Sequence, residues 1–363
     1  MSIHGPDFDA LTLDQPEAFQ ADMLIWRSAP GMGAIDHPGH AAVVLRRQRN
    51  QGPWRYQGRL NGRKHTRPAI QPAAQRYISF WPDAEKDGLF DRTTAKFRVD
   101  HLDDCWQEIS SAAGRALGEG RFAPRAGQIV LGTDDRGDDV WGQWPQVIVS
   151  IPGLSSARQT RLGLHLNRMV EWAQRFKASD EFGYTFVSKG RNCAGVAVRA
   201  LVAGGGDAFA AIGGHQGKPN IFTVPNDAQH WAEAVLRGVQ EVNRMLEVLR
   251  DATAHLPAGP SDLMSYRQWR TTSHVALTIR GPQTVAIDKA LQDFHAARWL
   301  DGHPAKFGAL VTIIKAIRDH MRRDTKRETA YLELAREVMG VVAWLARSAD
   351  QPWAPADYYG GKA

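Results

Sequence analysis

Cysteine is scarce in this chain, since Cys105 and Cys193 are the two present among 363 residues. Two cysteines are too few for a disulfide scaffold or a cysteine-based zinc cluster. Long hydrophobic runs are lacking too: the longest nearly apolar stretch, 338–346, has nine residues, whereas a membrane-spanning helix needs about twenty. The sequence therefore predicts a soluble protein without a transmembrane segment.

A strong excess of one charge is also lacking. The chain has 45 Lys and Arg against 39 Asp and Glu, a net charge of +6, and this surplus is too small to indicate a nucleic-acid-binding protein. Residues 1–7 contain no basic region followed by an apolar core, so we expect no Sec signal peptide. We expect synthesis in the cytoplasm and, if the protein leaves the cell, export by dedicated machinery.

Hydrophobic patterning predicts an α+β chain with a mainly helical C-terminal part. The predicted strands are 40–45, 77–81, 146–151, 184–187 and 274–279. The predicted helices are 156–177, 194–203, a helix that begins near residue 226, 305–323 and 327–347. Residues before 40 show weak periodicity, and 83–145 are polar and irregular. We place a domain boundary between residues 225 and 226.

Cys193 is the first candidate for a catalytic residue. It follows Gly190, Arg191 and Asn192 and opens a predicted helix of small residues. A thiol at a helix N-terminus feels the positive end of the helix dipole, which lowers its pKa and favours the thiolate. The backbone N–H groups there can also hold the oxyanion of a tetrahedral intermediate. The alternative is a buried structural cysteine, because cysteine packs as a small hydrophobic residue.

A cysteine nucleophile needs a base, usually an imidazole that a third polar group orients. His40 begins a predicted strand, and a sheet packed on the cysteine's helix would present it to the thiol. In the next predicted strand, Ser79 shares a face with Tyr77 and Trp81 and can accept from the imidazole N–H. Taken singly, each residue is better explained structurally, His40 as a turn residue and Ser79 as a satisfied hydroxyl.

His274 is a rival base, because it also heads a strand-like run and follows Cys193 in the chain. No polar partner strand is evident near it and its surroundings are helical, so we favour His40. Cys105 is a poor nucleophile candidate, because Asp103 and Asp104 beside it would raise a thiol pKa.

These motifs resemble the circularly permuted NlpC-like cysteine hydrolases. The similarity lies in Gly39-His40 at the start of an apolar strand, in Tyr-Ile-Ser-Phe-Trp-Pro at 77–82, and in Asn192-Cys193 at the start of a helix. The stretch from Pro152 to Cys193 is similar to that of bacterial effector toxins of this kind. The resemblance covers about residues 35–210.

The resemblance implies a papain-like catalytic domain in 1–225, with an antiparallel sheet packed on the helix that bears the cysteine. It implies Cys193 as nucleophile, His40 as general base and Ser79 at a third position where the family more often has histidine or a carboxylate. Attack on an amide or ester would give a thioacyl-enzyme.

We accordingly expect a secreted antibacterial or host-directed effector, delivered into a target cell by an apparatus of the type VI kind. The expected substrates are peptidoglycan stem peptide or a lipid or protein acyl group. The expected protein partners are an immunity protein and a component of the secretion apparatus. We expect no cofactor, no metal and no nucleic-acid partner.

Two alternatives stay open. The same residues would serve an acyltransferase that passes the acyl group to an acceptor other than water. A non-catalytic binding module would dock on an anionic surface through residues 46–67, which contain eight Lys and Arg and no acidic residue. We expect this basic segment to form an exposed loop or a two-stranded flap beside the site. The acidic cluster at 134–139 lacks the spacing of a calcium-binding EF-hand loop.

Overall fold

The computed structural model describes residues 19–27, 39–47, 53–60, 63–70, 74–82, 92–98, 109–110, 128–133, 139–143, 145–154, 161–185, 190–215, 224–256 and 303–321, and single positions from 332 to 343. His274, Cys105 and the predicted strand 274–279 lie outside the described residues, as does most of the acidic cluster. The predictions that concern them stay predictions.

The described part of the chain combines antiparallel strands with helices, so the predicted α+β class is confirmed at that level. The strands are β1 (Phe19–Trp26), β2 (His40–Arg47), β3 (Pro53–Leu60), β4 (Arg63–Ile70), β5 (Ala74–Pro82), β6 (Ala95–Arg98), β7 (Ile109–Ser110), β8 (Gln128–Thr133), β9 (Asp139–Gln143) and β10 (Val147–Pro152). The helices are α1 (Leu166–Lys177), α2 (Cys193–Ala203), α3 (Gly206–Ile212), α4 (Pro225–Thr253) and α5 (His303–Met321).

The first sheet has five antiparallel strands in the order β10-β1-β2-β5-β6. The sequence pattern missed β1, which pairs with β10 on one side and β2 on the other. The physical reason is that both faces of β1 are buried, so its apolar residues run on without the alternation that marks a half-exposed strand. Its two polar residues, Gln20 and Asp22, are buried as well, and the Gln20 amide donates to the Asp22 carboxylate.

The second sheet has the order β4-β3-β8-β9-β7. The prediction that 83–145 is irregular was wrong, because β6, β7, β8 and β9 fall within it. The two-stranded form of the basic segment is confirmed: β3 and β4 pair as an antiparallel hairpin in register from Pro53↔Ile70 to Leu60↔Arg63.

Helix α1 begins ten residues later than predicted, at Leu166 instead of 156. The residues before it form bridges: the Leu154 N–H donates to the Leu164 carbonyl at 2.9 Å and the Leu164 N–H to the Pro152 carbonyl at 3.0 Å. A Cβ at Gly163 would lie 2.3 Å from the Pro152 oxygen. Backbone pairing to the end of β10 thus outweighs the helical pattern of this segment.

The helices pack on one face of the first sheet and form one hydrophobic core with it. α2 lies against β2 and β5, and α4 lies against β10 and β1. The buried sheet residues on this face include Met23, Ala41, Val43, Ile78, Phe80 and Ile151. α4 and α5 confirm two of the predicted C-terminal helices and contribute to the same core. The division at 225/226 stays a prediction.

Within the described residues no single helix has the length and hydropathy to cross a membrane. α2 and α3 meet that standard only when counted together, by length and composition, and they are bent by 90°.

Candidate active site

Cys193 is the first residue of α2, as predicted. Asn192 caps the helix, because its side-chain Oδ1 accepts a hydrogen bond from the Gly195 N–H at 2.7 Å. This bond satisfies one of the N–H groups that a helix start leaves without an intrahelical partner. Cys193 and Asn192 are 7% and 8% exposed. The thiol is therefore held at the positive end of the helix dipole and largely shielded from water.

The turn before Cys193 folds tightly over the first turn of α2. Gly190 has a φ of +77°, and a Cβ at Gly195 would lie 2.4 Å from the Gly190 Cα. The Arg191 carbonyl accepts the Thr185 N–H at 3.0 Å, which ties the turn to the preceding segment. The close approach of Gly190 and Gly195 thus requires glycine at both positions, because a side chain at either one would disturb the cap.

Tyr184 contacts Cys193, and no sequence motif predicts a catalytic role for this tyrosine. Its hydroxyl hydrogen-bonds with both the side chain and the backbone of Cys193. Two backbone hydrogen bonds with Thr93, at 2.9 and 3.0 Å, hold Tyr184 in place, and its ring lies 5.5 Å from that of Phe80. Burial, and then the neighbouring Cys193, raise the pKa of Tyr184 well above its usual value. The phenol therefore keeps its proton at neutral pH and presents an O–H donor beside the sulfur.

His40 and Ser79 meet on the first sheet. The His40 Nε2 lies 3.1 Å from the Ser79 Oγ. The indole N–H of Trp81 donates to the same oxygen at 2.9 Å, and the Trp81 ring stacks on the imidazole with centroids 4.3 Å apart. Trp26 packs on the other strand beside His40, with centroids 5.4 Å apart. His40 and Ser79 are 1% and 0% exposed. His40, Ser79 and Trp81 therefore form a buried hydrogen-bonded network, and the Trp26 ring packs beside its imidazole.

The His40 network and Cys193 lie at the same end of the first sheet. Tyr184, which contacts Cys193, bridges to Thr93. β6 follows Thr93 closely in the chain and pairs with β5 at Trp81, the residue that stacks on His40. Tyr184 therefore lies toward the end of the sheet at which β2 begins.

His40 and Cys193 approach this end of the sheet from different faces. Alternation along β2 places His40 opposite to Ala41, which belongs to the core shared with α2. His40 is the first residue of β2, and its imidazole stacks on Trp81 on the face of the sheet opposite to Ala41. Ser79, paired with Ala42, lies on the His40 face. The predicted shared face of Ser79 and Trp81 is confirmed.

Among the described residues no group of three or more His, Cys, Asp or Glu side chains is placed to hold a metal ion. The chemistry that the site's own side chains offer is a thiol, an imidazole and two hydroxyls. These are the groups of nucleophilic acyl chemistry.

Residues 107–254 match a protein-family model described as the IcsB middle domain. The matched segment includes Tyr184 and Cys193, whereas His40 and Ser79 precede it. The chain is also 26% identical to the effector protein BopA of Burkholderia pseudomallei strain 1710b over 279 residues, covering 64% of this chain and 49% of the relative.

For BopA of Burkholderia pseudomallei strain 668, the identity is 26% over 348 residues, covering 84% of this chain and 62% of the relative. The chain thus spans about half to three-fifths of the length of the curated relatives it matches. No solved structure matches the chain. The sequence is therefore similar to that of bacterial effector proteins.

Proposed function

We propose that the protein is a cysteine hydrolase with Cys193 as nucleophile, His40 as general base and Ser79 as the group that orients the imidazole. The observation that supports this proposal is the buried hydrogen-bonded network of His40, Ser79 and Trp81 on the first sheet, together with Cys193 at the start of the helix α2 that packs on the same sheet. Burying polar groups costs free energy unless they are hydrogen-bonded, so a buried His–Ser pair is kept only where its geometry is satisfied. A catalytic role explains why the chain places a histidine and a serine where apolar residues would pack more easily.

The proposed reaction has two steps. The Cys193 proton passes to His40, and the thiolate attacks the carbonyl carbon of an amide or ester. We assign the Tyr184 O–H as a donor to the developing oxyanion, because this hydroxyl contacts Cys193. The tetrahedral intermediate expels the amine or alcohol, which takes the proton from His40. Water then gives a proton to His40 and attacks the thioacyl carbon, releasing the acid and restoring the thiol.

The likeness to bacterial effector proteins supports a role in a target cell. We propose peptidoglycan stem peptide or a lipid or protein acyl group as substrate. Delivery by a type VI apparatus and pairing with an immunity protein belong to the same proposal and rest on the family resemblance, since the relatives' names state only that they are effectors.

Acyl transfer is the second candidate function, and the burial of the site favours it. Cys193 and His40 are 7% and 1% exposed, and a site that excludes water protects a thioacyl intermediate from hydrolysis. An acceptor amine or alcohol that fills the site then takes the place of water. Both reactions use the same residues, so the products decide between them.

The test is mass spectrometry of purified peptidoglycan and of total lipid after incubation with the full chain, with and without an acceptor protein. We expect one pool to change with the wild type and not with Cys193→Ala, and at most weakly with His40→Gln. His274→Gln is the matched control and is expected to stay active. If neither pool nor the acceptor changes in a Cys193-dependent way, the proposed reactions are wrong.

A labelling experiment separates an enzyme from a non-catalytic binding module. In a Cys105→Ser background, the rate of Cys193 alkylation by iodoacetamide is followed against pH by peptide mass spectrometry. A catalytic thiol is expected to react well below the free-thiol pKa of about 8.5. Reaction that begins only near that pH would favour the binding module.

A further inference from the structure

We propose that Arg199 is a positioning residue for Cys193. Its guanidinium joins the turn that caps α2 to the segment that carries Tyr184, so that one side chain fixes both neighbours of the thiol. This inference rests on the proposed function, since it assigns the residue a role in preparing the same nucleophile.

Arg199 lies on α2, six residues after Cys193. Its Nη2 donates to Glu181 Oε2 at 2.8 Å and its Nη1 to the Gly190 carbonyl at 3.4 Å. The aliphatic part of the side chain covers Gly190 closely, because a Cβ there would lie 2.8 Å from the Arg199 Cδ. Arg199 therefore both covers the turn and binds its backbone.

Two aromatic rings of α1 support the guanidinium. Its central carbon lies 4.9 Å from the Phe176 ring centroid and 5.5 Å from that of Trp172. The two rings are themselves stacked, with an interplanar angle of 7°. Cation–π attraction to these rings limits the orientations of the arginine fork. The rings thus orient the guanidinium N–H groups toward Glu181 and Gly190 independently of the hydrogen bonds to these two residues.

The positions of the two partners show what the contact achieves. Glu181 is three residues before Tyr184, and Gly190 is three residues before Cys193. The two segments converge at the Tyr184–Cys193 contact, and the Arg191 carbonyl already accepts from Thr185 between them. Arg199 adds a second connection on the outer side, so movement of either segment would alter the place of the hydroxyl relative to the sulfur.

The ion pair itself is a poor stabiliser of the fold. The side chains of Arg199 and Glu181 are 34% and 54% exposed, and pairs this accessible to water contribute little to folding free energy. A residue that makes four directed contacts for little global stability is better explained by the local geometry that it imposes. The Arg199 hydrogen bond and charge do lower the pKa of the Glu181 carboxyl, which keeps the partner ionised.

The experiment measures Cys193 alkylation by iodoacetamide against pH in the full chain with Cys105→Ser. Arg199→Met keeps the length of the side chain but removes its charge and donors, and Arg199→Lys restores the charge without the fork. Arg168→Met is the matched control, because Arg168 forms its 3.1 Å ion pair with Glu171 within α1. The thermal unfolding midpoint is recorded for every variant.

We expect Arg199→Met to slow Cys193 labelling at pH 7 about tenfold and to move the profile to higher pH, because misplacing a reactive group by a fraction of an ångström has effects of this order. Arg199→Lys is expected to recover part of the rate, and Arg168→Met to label like the wild type. A folded Arg199→Met variant whose profile superimposes on that of the wild type overturns the proposal.

If Arg199→Met does not fold, the Glu181→Gln variant is measured instead. Slower Cys193 labelling with a profile shifted to higher pH supports the proposal, and an unchanged labelling profile overturns it. The outcome is separable from that of the proposed function. Wild-type labelling like that of a free thiol contradicts the catalytic role of Cys193 itself. Low-pH labelling that the Arg199 and Glu181 variants leave unchanged contradicts only the positioning role.

Discussion

Trp81 stacks on His40 and also donates a hydrogen bond to Ser79, the residue that lies against the His40 imidazole. Its ring stacks on the imidazole with an interplanar angle of 25°, and its N–H donates to the Ser79 hydroxyl 2.9 Å away. One lone pair of Ser79 is therefore occupied, which restricts the orientations in which the hydroxyl meets His40 Nε2. A serine orients an imidazole less strongly than a carboxylate does, and the indole compensates by fixing both partners.

Ser79→Ala is expected to lower both stability and activity. It removes the acceptor of the buried Trp81 N–H and the partner of His40, and a buried group left without its hydrogen bond costs about 1–3 kcal/mol. Urea unfolding measures the stability, and the rate of Cys193-dependent turnover is expected to fall by about tenfold or more.

Trp81→Phe is the companion variant for Ser79→Ala. It keeps the stacked ring and the His40–Ser79 contact and loses only the N–H donor, so we expect a smaller loss of activity. Wild-type turnover in Ser79→Ala would remove Ser79 from the site.

Tyr184→Phe is expected to reduce thioacyl formation with little change in stability. The variant keeps the ring against Phe80 and removes the hydroxyl that contacts Cys193. Loss of one donor to a developing oxyanion costs about a hundredfold in rate, and burst kinetics of acyl-enzyme formation measure it. Unchanged burst kinetics would show that the hydroxyl only packs.

The raised pKa of Tyr184 also has a consequence for stability. Above pH 10 the unfolded chain releases the phenolic proton while the folded chain keeps it, so the unfolding free energy falls as the pH rises. Tyr184→Phe is expected to remove that part of the alkaline loss.

Gly195→Ala tests the glycine contact that shapes the cap of α2. The added Cβ would lie 2.4 Å from the Gly190 Cα and 2.9 Å from its nitrogen, so the turn before Cys193 must move. We expect a loss of about 1–3 kcal/mol in unfolding free energy and a larger loss of Cys193 reactivity.

Gly308→Ala in α5 is the matched control for Gly195→Ala. Among the described residues, the added Cβ would meet the Ala208 Cβ alone, at 4.0 Å. Alanine in a helix is favoured over glycine by about 1 kcal/mol. We expect equal or higher stability and unchanged labelling. A Gly195→Ala protein with wild-type reactivity would show that the cap tolerates displacement.

His165 is expected to make the fold sensitive to acid. It precedes α1, its backbone N–H donates to the Gly204 carbonyl at 3.0 Å, and burial first and the charge of Arg168 second lower its pKa to about 4. Between pH 6.5 and 4, His165 is protonated in the unfolded chain and stays neutral in the folded chain. The unfolding free energy therefore falls as the pH falls, by up to about 3 kcal/mol.

Urea unfolding at pH 7.5 and pH 4.5 measures this loss. His165→Gln is expected to show a smaller difference between the two pH values than the wild type, whereas substitution of the exposed His230 by Gln leaves it unchanged. An equal difference in His165→Gln would show that other groups carry the acid response.

The sequence predicted the parts of the site whose signals are local. β2 and β5 lie where turn residues flank apolar runs, and α2 begins at Cys193 because Asn192 is a good helix cap before a run of small residues. It did not reveal β1, because a strand buried on both faces has no polar alternation. It misplaced the start of α1, because pairing of Leu164 with the end of β10 overrides a helical pattern.

The amino-acid sequence by itself determined the α+β class, the strand that begins with His40 and the helix that begins with Cys193. These features depend on caps, turns and periodicity, which act over a few residues. The tertiary structure decided that Ser79 and Trp81 meet His40, that Tyr184 reaches Cys193 through its bridge to Thr93, and that Arg199 spans Glu181 and Gly190. These contacts join residues far apart in the chain or on different elements, and sheet register and helix packing fix them where no local pattern can.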